Sequence, residues 1–304
     1  MSLSDQRSGS EGGKEEKPVA IAPETGVADT SSKSWSDMGP RLISAFVLLS
    51  ITIFMVWAGG IWFALLVALA FAGGLREWEA MIGVRQNKPF GMFLIALMAF
   101  VPIVSTYWGI SAGAMFGVAG AVVSLFGRAE FRMWRAGGFL FFTAVIIALL
   151  SIRGAVALGF AACFFLGATV WMTDTGALLA GRVFRGAKLN PEISPAKTWS
   201  GAIGGLIVGT LSGLFVWVLV SPSSWWIGAL IAAAVSFSGQ LGDLSESAIK
   251  RHFRIKDSGD SIPGHGGLLD RIDSLTFGAL LLFLVGAINA GPQFVSAGIL
   301  FWNL

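Results

Sequence analysis

Long stretches without a charged residue are the feature that most restricts how this chain can fold. Residues 42–75, 89–127, 198–242 and 274–304 contain no Asp, Glu, Lys or Arg. A transmembrane helix needs about 20 mostly apolar residues, so each of the first three stretches is too long for one helix. Charged residues make up 13% of the chain, compared with about 25% in soluble proteins. The sequence therefore excludes an ordinary soluble protein and predicts an integral membrane protein in a lipid bilayer.

Residues that interrupt helices divide the long stretches near their middles. The predicted interruptions are Gly59-Gly60, Pro102 with residues 107–109, Arg153 within residues 136–173, and residues 221–224. One more helix is predicted near residues 275–289, and the few residues after Gly291-Pro292 are too short for a comfortable crossing. The predicted fold is all-α and polytopic, with about 8–9 transmembrane helices arranged as hairpins joined by charged loops.

The basic residues predict the orientation of these hairpins. Twenty of the 21 Lys and Arg residues lie in the N-terminal tail or in segments 76–88, 128–135, 174–197 and 243–273. Hairpins place all these segments on one side, and an excess of Lys and Arg marks the cytoplasmic side. This bias accounts for the net charge of +3 without a nucleic-acid partner. We expect a bacterial inner membrane protein whose chemistry faces the cytoplasm.

The N-terminal residues differ in composition from the rest of the chain. Residues 1–40 are rich in Ser, Gly, Glu and Lys and show no apolar periodicity, which predicts a disordered polar tail. Residues 41–304 are predicted to form a single transmembrane catalytic domain. Cys163 is the only cysteine and lies in an apolar run, so neither a disulfide within the chain nor a cysteine metal site is expected.

Charge is concentrated between Asp243 and Asp273. These 31 residues contain 11 charged residues and both histidines, His252 and His265. Carboxylates bind Mg²⁺ through oxygen, Lys and Arg bind phosphates, and glycine lets backbone N–H groups approach an anion. The mixture predicts a site for a polyanion together with a divalent metal.

Helical spacing places several of these side chains on common faces. If the preceding helix continues, one polar stripe forms from Asp243, Glu246, Ser247, Lys250 and Arg251. We expect Glu246 to pair with Lys250 one turn away. Asp270 and Asp273 share a face of the last long helix. The helix dipole would explain one N-terminal acid, whereas a pair at the membrane edge favours function.

A second charged segment, residues 174–197, is predicted to begin with Asp174 at the end of a span. It ends in Ser194-Pro-Ala-Lys197-Thr198 directly before a helix. This arrangement suits a helix N-terminus that faces a phosphate, and ordinary capping is the alternative. For segments 76–88 and 128–135, interfacial anchoring by Trp78 and Trp134 is a sufficient explanation.

The charged segment carries a specific resemblance. Residues 247–273 follow the pattern SxIKR-x4-KDxGxxIPxHGGLxDRID, which is similar to the signature of the CDP-diacylglycerol synthases (phosphatidate cytidylyltransferases). Residues 242–247 and 173–198 also resemble this family. Ala196 and Ser200 depart from it, because many members have Lys and then Glu-Gly around these positions. The resemblance covers roughly residues 40–304.

The resemblance implies transfer of the cytidylyl group of CTP to phosphatidate, giving CDP-diacylglycerol and pyrophosphate, with Mg²⁺. We expect Asp243, Asp270 and Asp273 to bind Mg²⁺, with room for a second cation. Lys250 and Arg251 are predicted to act with these acids in catalysis by binding phosphates. The predicted substrate-binding residues are Asp174, Ser194, Lys197, Ser247, Lys256, Asp257, His265, Gly266, Gly267 and Arg271. The sequence leaves open whether the protein is a monomer or a homodimer.

Two other classes of membrane protein remain as alternatives. A transporter or channel also uses glycine-rich helices and acids at the membrane edge, but it favours charged or broken helices at mid-bilayer. A CTP-dependent lipid kinase would need the same ions and would release CDP instead of pyrophosphate. A membrane scaffold would leave the charge between Asp243 and Asp273 unexplained.

Overall fold

The computed structural model describes residues 38–83, 89–126, 130–154, 157–256, 258–259 and 267–302. Within them the helices are α1 (Met38–Ala58), α2 (Gly60–Met81), α3 (Pro89–Trp108), α4 (Ile110–Ser124), α5 (Arg132–Arg153), α6 (Ala157–Phe184), α7 (Trp199–Val220), α8 (Trp225–His252), α9 (Leu269–Ala290) and α10 (Val295–Leu300). Two short strands, β1 (Lys188–Asn190) and β2 (Ser194–Thr198), lie between α6 and α7. The chain divides after Leu42, and residues 43–304 form one compact unit.

The all-α polytopic prediction is confirmed. Seven of the described helices are long and apolar enough to cross a membrane, and two apolar helical stretches, Leu49–Ala58 and Ile110–Ser124, are shorter. The predicted interruptions also separate helices in the structure, since Gly59 and Gly109 adopt positive φ angles of 65° and 92° between consecutive helices. Pro102 differs because it lies inside α3.

Two helices extend further than expected. The segment beginning at Asp174 was predicted to be a loop, but α6 continues to Phe184 and places Asp174 within a helix. In the same way, α2 continues to Met81 and includes Glu77 and Glu79. Both predictions assumed that a charged residue ends a span, whereas apolar and helix-forming neighbours continue each helix past its charged residues.

The β1–β2 hairpin was not predicted. Its strands are antiparallel, with Lys188 opposite Thr198 and Asn190 opposite Ser194. Thr198 ends β2 and caps α7, because its Oγ1 accepts a hydrogen bond from the Gly201 N–H at 3.1 Å. The capping alternative therefore describes the start of α7, and the hairpin holds Lys197 beside the end of α8.

Glycines allow the helices around the charged residues to approach closely. A Cβ on Gly205 would lie 2.8 Å from the Thr173 carbonyl oxygen, so α7 packs tightly against α6. A Cβ on Gly242 would lie 2.7 Å from the Asp273 carbonyl oxygen, so α8 packs tightly against α9. Small residues at helix contacts are typical of membrane bundles. Here they bring α7 against α6 next to Asp174, and α8 against α9 next to Asp243 and Asp273.

The bundle has two ends of different character. Helix α5 begins near Arg135, which pairs with Glu79 of α2, and ends at Arg153, which contacts the end of α1. We refer to the end that contains Lys197, Asp243, Lys250 and Asp270 as the charged end. The opposite end, which contains Gly59 and Arg153, is the turn end.

Candidate active site

Lys250 is the centre of the first group of charges at the charged end. Its Nζ lies 2.6 Å from Asp270 Oδ1 and 3.2 Å from Glu246 Oε1. Glu246 and Lys250 are one turn apart on α8, so the predicted pair is confirmed, and Asp270 comes from the first turn of α9. One ammonium therefore contacts two carboxylates and joins two helices.

Lys197 and Asp243 form a second ion pair beside the first. Lys197 Nζ in β2 lies 2.8 Å from Asp243 Oδ1 in α8, and both side chains keep partial access to solvent. Arg251 fixes the same hairpin to α8 because its Nε donates to the Ile193 carbonyl at 3.2 Å. Its Nη1 donates to the Ile255 carbonyl at 3.3 Å. The hairpin thus supplies a second cation to the acids of α8.

The acid Asp273 lies deeper, on the side of α9 that faces α6 and α8. Its Oδ1 accepts the Ser274 N–H at 2.8 Å, and the Ser274 hydroxyl donates to Asp174 Oδ1 at 3.2 Å. Asp174, Asp243 and Glu246 all interact electrostatically with Asp273. Carboxylates from three helices therefore share one region, although they are distant in the sequence.

These acids have the donor chemistry that a hard divalent cation requires. Carboxylate oxygens are the usual protein ligands of Mg²⁺, and Asp273 faces acids on both neighbouring helices. Among the described residues, no three Asp, Glu, His or Cys side chains converge closely enough to hold a metal ion. In this arrangement lysines are paired with Asp243 and Asp270. The metal-binding role of Asp243, Asp270 and Asp273 thus stays a prediction.

The remaining predicted residues surround these groups or lie outside the described parts. Ser194 begins β2, Ser247 follows Glu246 on α8, and Lys256 lies just after α8 with an exposed side chain. Gly267 is buried ahead of α9, and Arg271 is exposed in its first turn. The predictions for Asp257, His265 and Gly266 fall on residues outside the described ranges.

Glu77 was not among the residues predicted from the sequence. Its side chain is buried in α2, and its carboxylate accepts hydrogen bonds from residues next to Asp270. We had explained segment 76–88 by interfacial anchoring. The available signal was an acid inside an apolar helix, because an ionisable residue within a membrane span is functional by default.

Comparison with known proteins agrees with the resemblance carried by residues 247–273. Residues 39–288 match the model of the cytidylyltransferase family. A phosphatidate cytidylyltransferase of Brucella abortus biovar 1 (strain 9-941) is 39% identical over 268 residues, which are 86% of this chain and 98% of that protein. The protein of the same name from Bacillus subtilis (strain 168) is 40% identical over 157 residues, covering 50% of this chain and 58% of that one.

The match to the family model and the similarity to the Brucella protein both extend over most of the chain, and the family match includes every ion pair described above. This chain belongs to the cytidylyltransferase family.

Proposed function

We propose that this protein transfers the cytidylyl group of CTP to phosphatidate, giving CDP-diacylglycerol and pyrophosphate. The observation that carries the proposal is the ion-pair group in which Lys250 joins Glu246 to Asp270. Its residues belong to the stretch that resembles the family signature, and the chain belongs to that family. The relatives named above carry the name of this activity.

The chemistry requires charge neutralisation more than a strong base. An oxygen of the phosphatidate phosphate attacks the α-phosphorus of CTP, and the bond from that phosphorus to the bridging oxygen breaks to release pyrophosphate. A phosphomonoester with a second pKa near 6 is largely ionised at neutral pH, so the nucleophile needs little activation. Positioning and electrostatic stabilisation then supply most of the catalysis.

The lysines at the charged end suit this task. Lys250 and Lys197 lie in ion pairs that link separate elements of the bundle, and their side chains are not fully buried. We propose that they bind substrate phosphates, with Arg251, Lys256 and Arg271 adding positive charge around them. An ammonium bound to an acid can exchange that partner for a phosphate, and it then keeps a negatively charged partner in both states.

We include Mg²⁺ in the proposal because the donor set fits it, with Asp243, Asp270 and Asp273 as its ligands. When bound, the ion would neutralise charge on the CTP phosphates and on the leaving pyrophosphate. Asp174 would act beside them, since Ser274 links it to α9. Chelation should therefore abolish turnover, and added Mg²⁺ should restore it.

Location and organisation complete the proposal. We place the charged end at the cytoplasmic face of a bacterial inner membrane because the basic segments gather on that side. Residues 41–304 would form the catalytic domain, and residues 1–40 would be a tail outside it. The proposal holds for a monomer or a homodimer.

The deciding experiment uses purified protein in phosphatidate-containing vesicles with labelled CTP and Mg²⁺. We expect labelled CDP-diacylglycerol and one pyrophosphate for each molecule formed. Release of CDP with a phosphorylated lipid would identify a lipid kinase instead. An absence of any CTP-derived product would overturn the proposal.

A further inference from the structure

The carboxylate of Glu77 connects α2 to the segment between α8 and α9. Glu77 is 2% exposed. Its Oε1 accepts the Leu268 N–H at 2.8 Å, and its Oε2 accepts the Leu269 N–H at 2.9 Å. The Ser258 hydroxyl also donates to Oε2, at 3.1 Å. One buried side chain therefore binds the segment at two places that are ten residues apart.

Two glycines allow the described residues on either side of Glu77 to approach its side chain closely. A Cβ on Gly259 would lie 3.1 Å from Glu77 Cγ. A Cβ on Gly267 would lie 3.0 Å from Glu77 Oε2 and 2.9 Å from Asp270 Oδ2, and it would overlap the Ser258 hydroxyl. Larger residues at these positions would push the segment away from Glu77.

The residues that Glu77 holds are the ones that place Asp270. Leu269 immediately precedes Asp270, and the Ser258 N–H lies 3.5 Å from Asp270 Oδ2. Lys250 contacts the other oxygen of Asp270 at 2.6 Å. Asp270 thus lies between Lys250 and a segment whose position depends on Glu77.

The same contacts determine whether the N–H groups at the start of α9 are available to bind an anion. The first N–H groups of a helix commonly bind an anion, such as a phosphate. At α9 the N–H groups of Leu268 and Leu269 already donate to the Glu77 carboxylate. The positive end of this helix is therefore neutralised by the protein itself, which leaves side chains to bind the substrate phosphates.

We propose that Glu77 is a positioning residue for the reaction, which holds Ser258 and the start of α9 so that Asp270 faces Lys250. Only the expected change in kcat rests on the proposed function. The contacts of Glu77 do not depend on which substrate is used, so they can be tested separately. Displacing a reacting group by about 1 Å can cost up to about 100-fold in rate.

The test compares Glu77→Gln with a matched control two residues away. Glu79 is also buried in α2, but its Oε1 pairs with Arg135 at 3.0 Å and not with the α9 segment. The control carries Glu79→Gln and Arg135→Gln together, which removes both charges of that pair. The first measurement is hydrogen exchange of the Leu268 and Leu269 amides in lipid nanodiscs, and the second is kcat and KM for CTP.

We expect Glu77→Gln to speed exchange at least tenfold at one of the two amides, Leu268 or Leu269, because the Gln side chain keeps one acceptor oxygen and presents an NH2 donor to the other N–H. We expect kcat to fall about 10- to 100-fold with less than a threefold change in KM, since a positioning residue acts through Asp270 and not through substrate binding. The paired control should leave both exchange and kcat within about twofold of wild type. Unchanged exchange in Glu77→Gln, or unchanged kcat, would overturn the proposal.

A second variant covers the case in which Glu77→Gln fails to fold. Ser258→Ala removes one of the three bonds to Glu77 without placing an unpaired group in α2, and it should give a smaller change in the same direction in both measurements. No change in either would also overturn the proposal. If wild-type protein failed to form CDP-diacylglycerol, the proposed function would fall, while the exchange measurement would still decide whether Glu77 holds the segment.

Discussion

The two ends of the bundle use charge in opposite ways. At the turn end, Arg153 is 6% exposed, and its Nε and Nη2 donate to the backbone carbonyls of Val56 and Trp57 at 2.5 and 2.8 Å. At the charged end the two lysines, Lys197 and Lys250, contact carboxylate side chains, whereas Arg251 donates to backbone carbonyls and fixes the hairpin. A cation bonded to the end of a helix is fixed in place by the backbone, whereas a cation bonded to a side chain can change partners.

This difference teaches which charges are structural. Arg153 donates to carbonyl groups at the end of α1 that have no partner within their own helix. Its contribution to stability therefore does not depend on any ligand. Lys250 serves two acids at once, and such a group can accept a phosphate when one arrives. Burial alone does not distinguish a structural cation such as Arg153 from a substrate-binding cation such as Lys250. The type of partner, backbone carbonyl or carboxylate side chain, does distinguish them.

The largest expected effect comes from removing one acid at the charged end. Asp270→Asn keeps the shape of the side chain but removes the charge that faces Lys250, and kcat for CDP-diacylglycerol should fall about 100- to 1,000-fold. Asp243→Asn, which disturbs the Lys197 pair, should have a similar effect. Initial rates at saturating CTP measure both.

Glu192→Gln is the control for these two variants, since Glu192 is an exposed acid between β1 and β2. Its rate should remain at the wild-type level. Near-normal rates in both Asp270→Asn and Asp243→Asn would refute the predicted roles of these acids and remove the contrast between the two ends.

A smaller loss is expected from added volume beside the ion pairs. Gly267→Ala should lower kcat about tenfold, because the new methyl group overlaps Ser258 and approaches Asp270 and small displacements of reacting groups are costly. Gly137→Ala is the matched control: no atom lies within 4 Å of a Cβ at that position. It should keep full activity and gain up to about 1 kcal/mol from better helix propensity. Equal rates for the two variants would show that the space around Gly267 is unimportant.

Arg153→Met should affect stability and not the reaction. Leaving the carbonyls of Val56 and Trp57 without donors costs about 1–3 kcal/mol for each group, which should lower the midpoint of thermal unfolding. The kcat of the folded fraction should stay within about twofold of wild type. A selective loss of kcat at unchanged stability would contradict the structural role of the turn end.

The smallest effect is expected from shortening the N-terminus. Removing residues 1–37 leaves the whole of α1, which begins at Met38, and every contact reported above between described residues of the charged end. Activity in vesicles should equal that of the full chain. A large loss would show that these residues contribute to the catalytic domain.

The helices could be predicted because their ends depend on local sequence. Gly59, Gly109 and residues 221–224 each interrupt a charge-free stretch, and the structure ends helices there. The pairing of Glu246 with Lys250 is local too, since both lie on one face of α8. Information within a few residues was sufficient for these features.

The contacts that assemble the site are not local. Glu77 meets Leu269 across 192 residues, and Lys197 meets Asp243 from a hairpin whose strands have only three and five residues. The periodicity of the sequence predicts which face of a helix a carboxylate lies on, but it does not predict which distant residue the carboxylate will contact. Sequence patterns found the acids of the signature, and only packing revealed that Glu77 contacts the residues next to Asp270.

The length of α8 sets the height of the proposed chemistry in the membrane. Its 28 residues span about 42 Å at 1.5 Å per residue, which exceeds a hydrocarbon core of about 30 Å. Trp225 and Trp226 are exposed at its first turn, where aromatic residues mark the membrane boundary. Counted from there, Asp243 stands about 27 Å along the axis and Lys250 about 38 Å. With one boundary at Trp225, Asp243 lies about 3 Å inside a hydrocarbon core of about 30 Å and Lys250 about 8 Å beyond it. Under the proposed function, a lipid phosphate in the headgroup layer would then lie between these two levels while its acyl chains stay in the hydrocarbon.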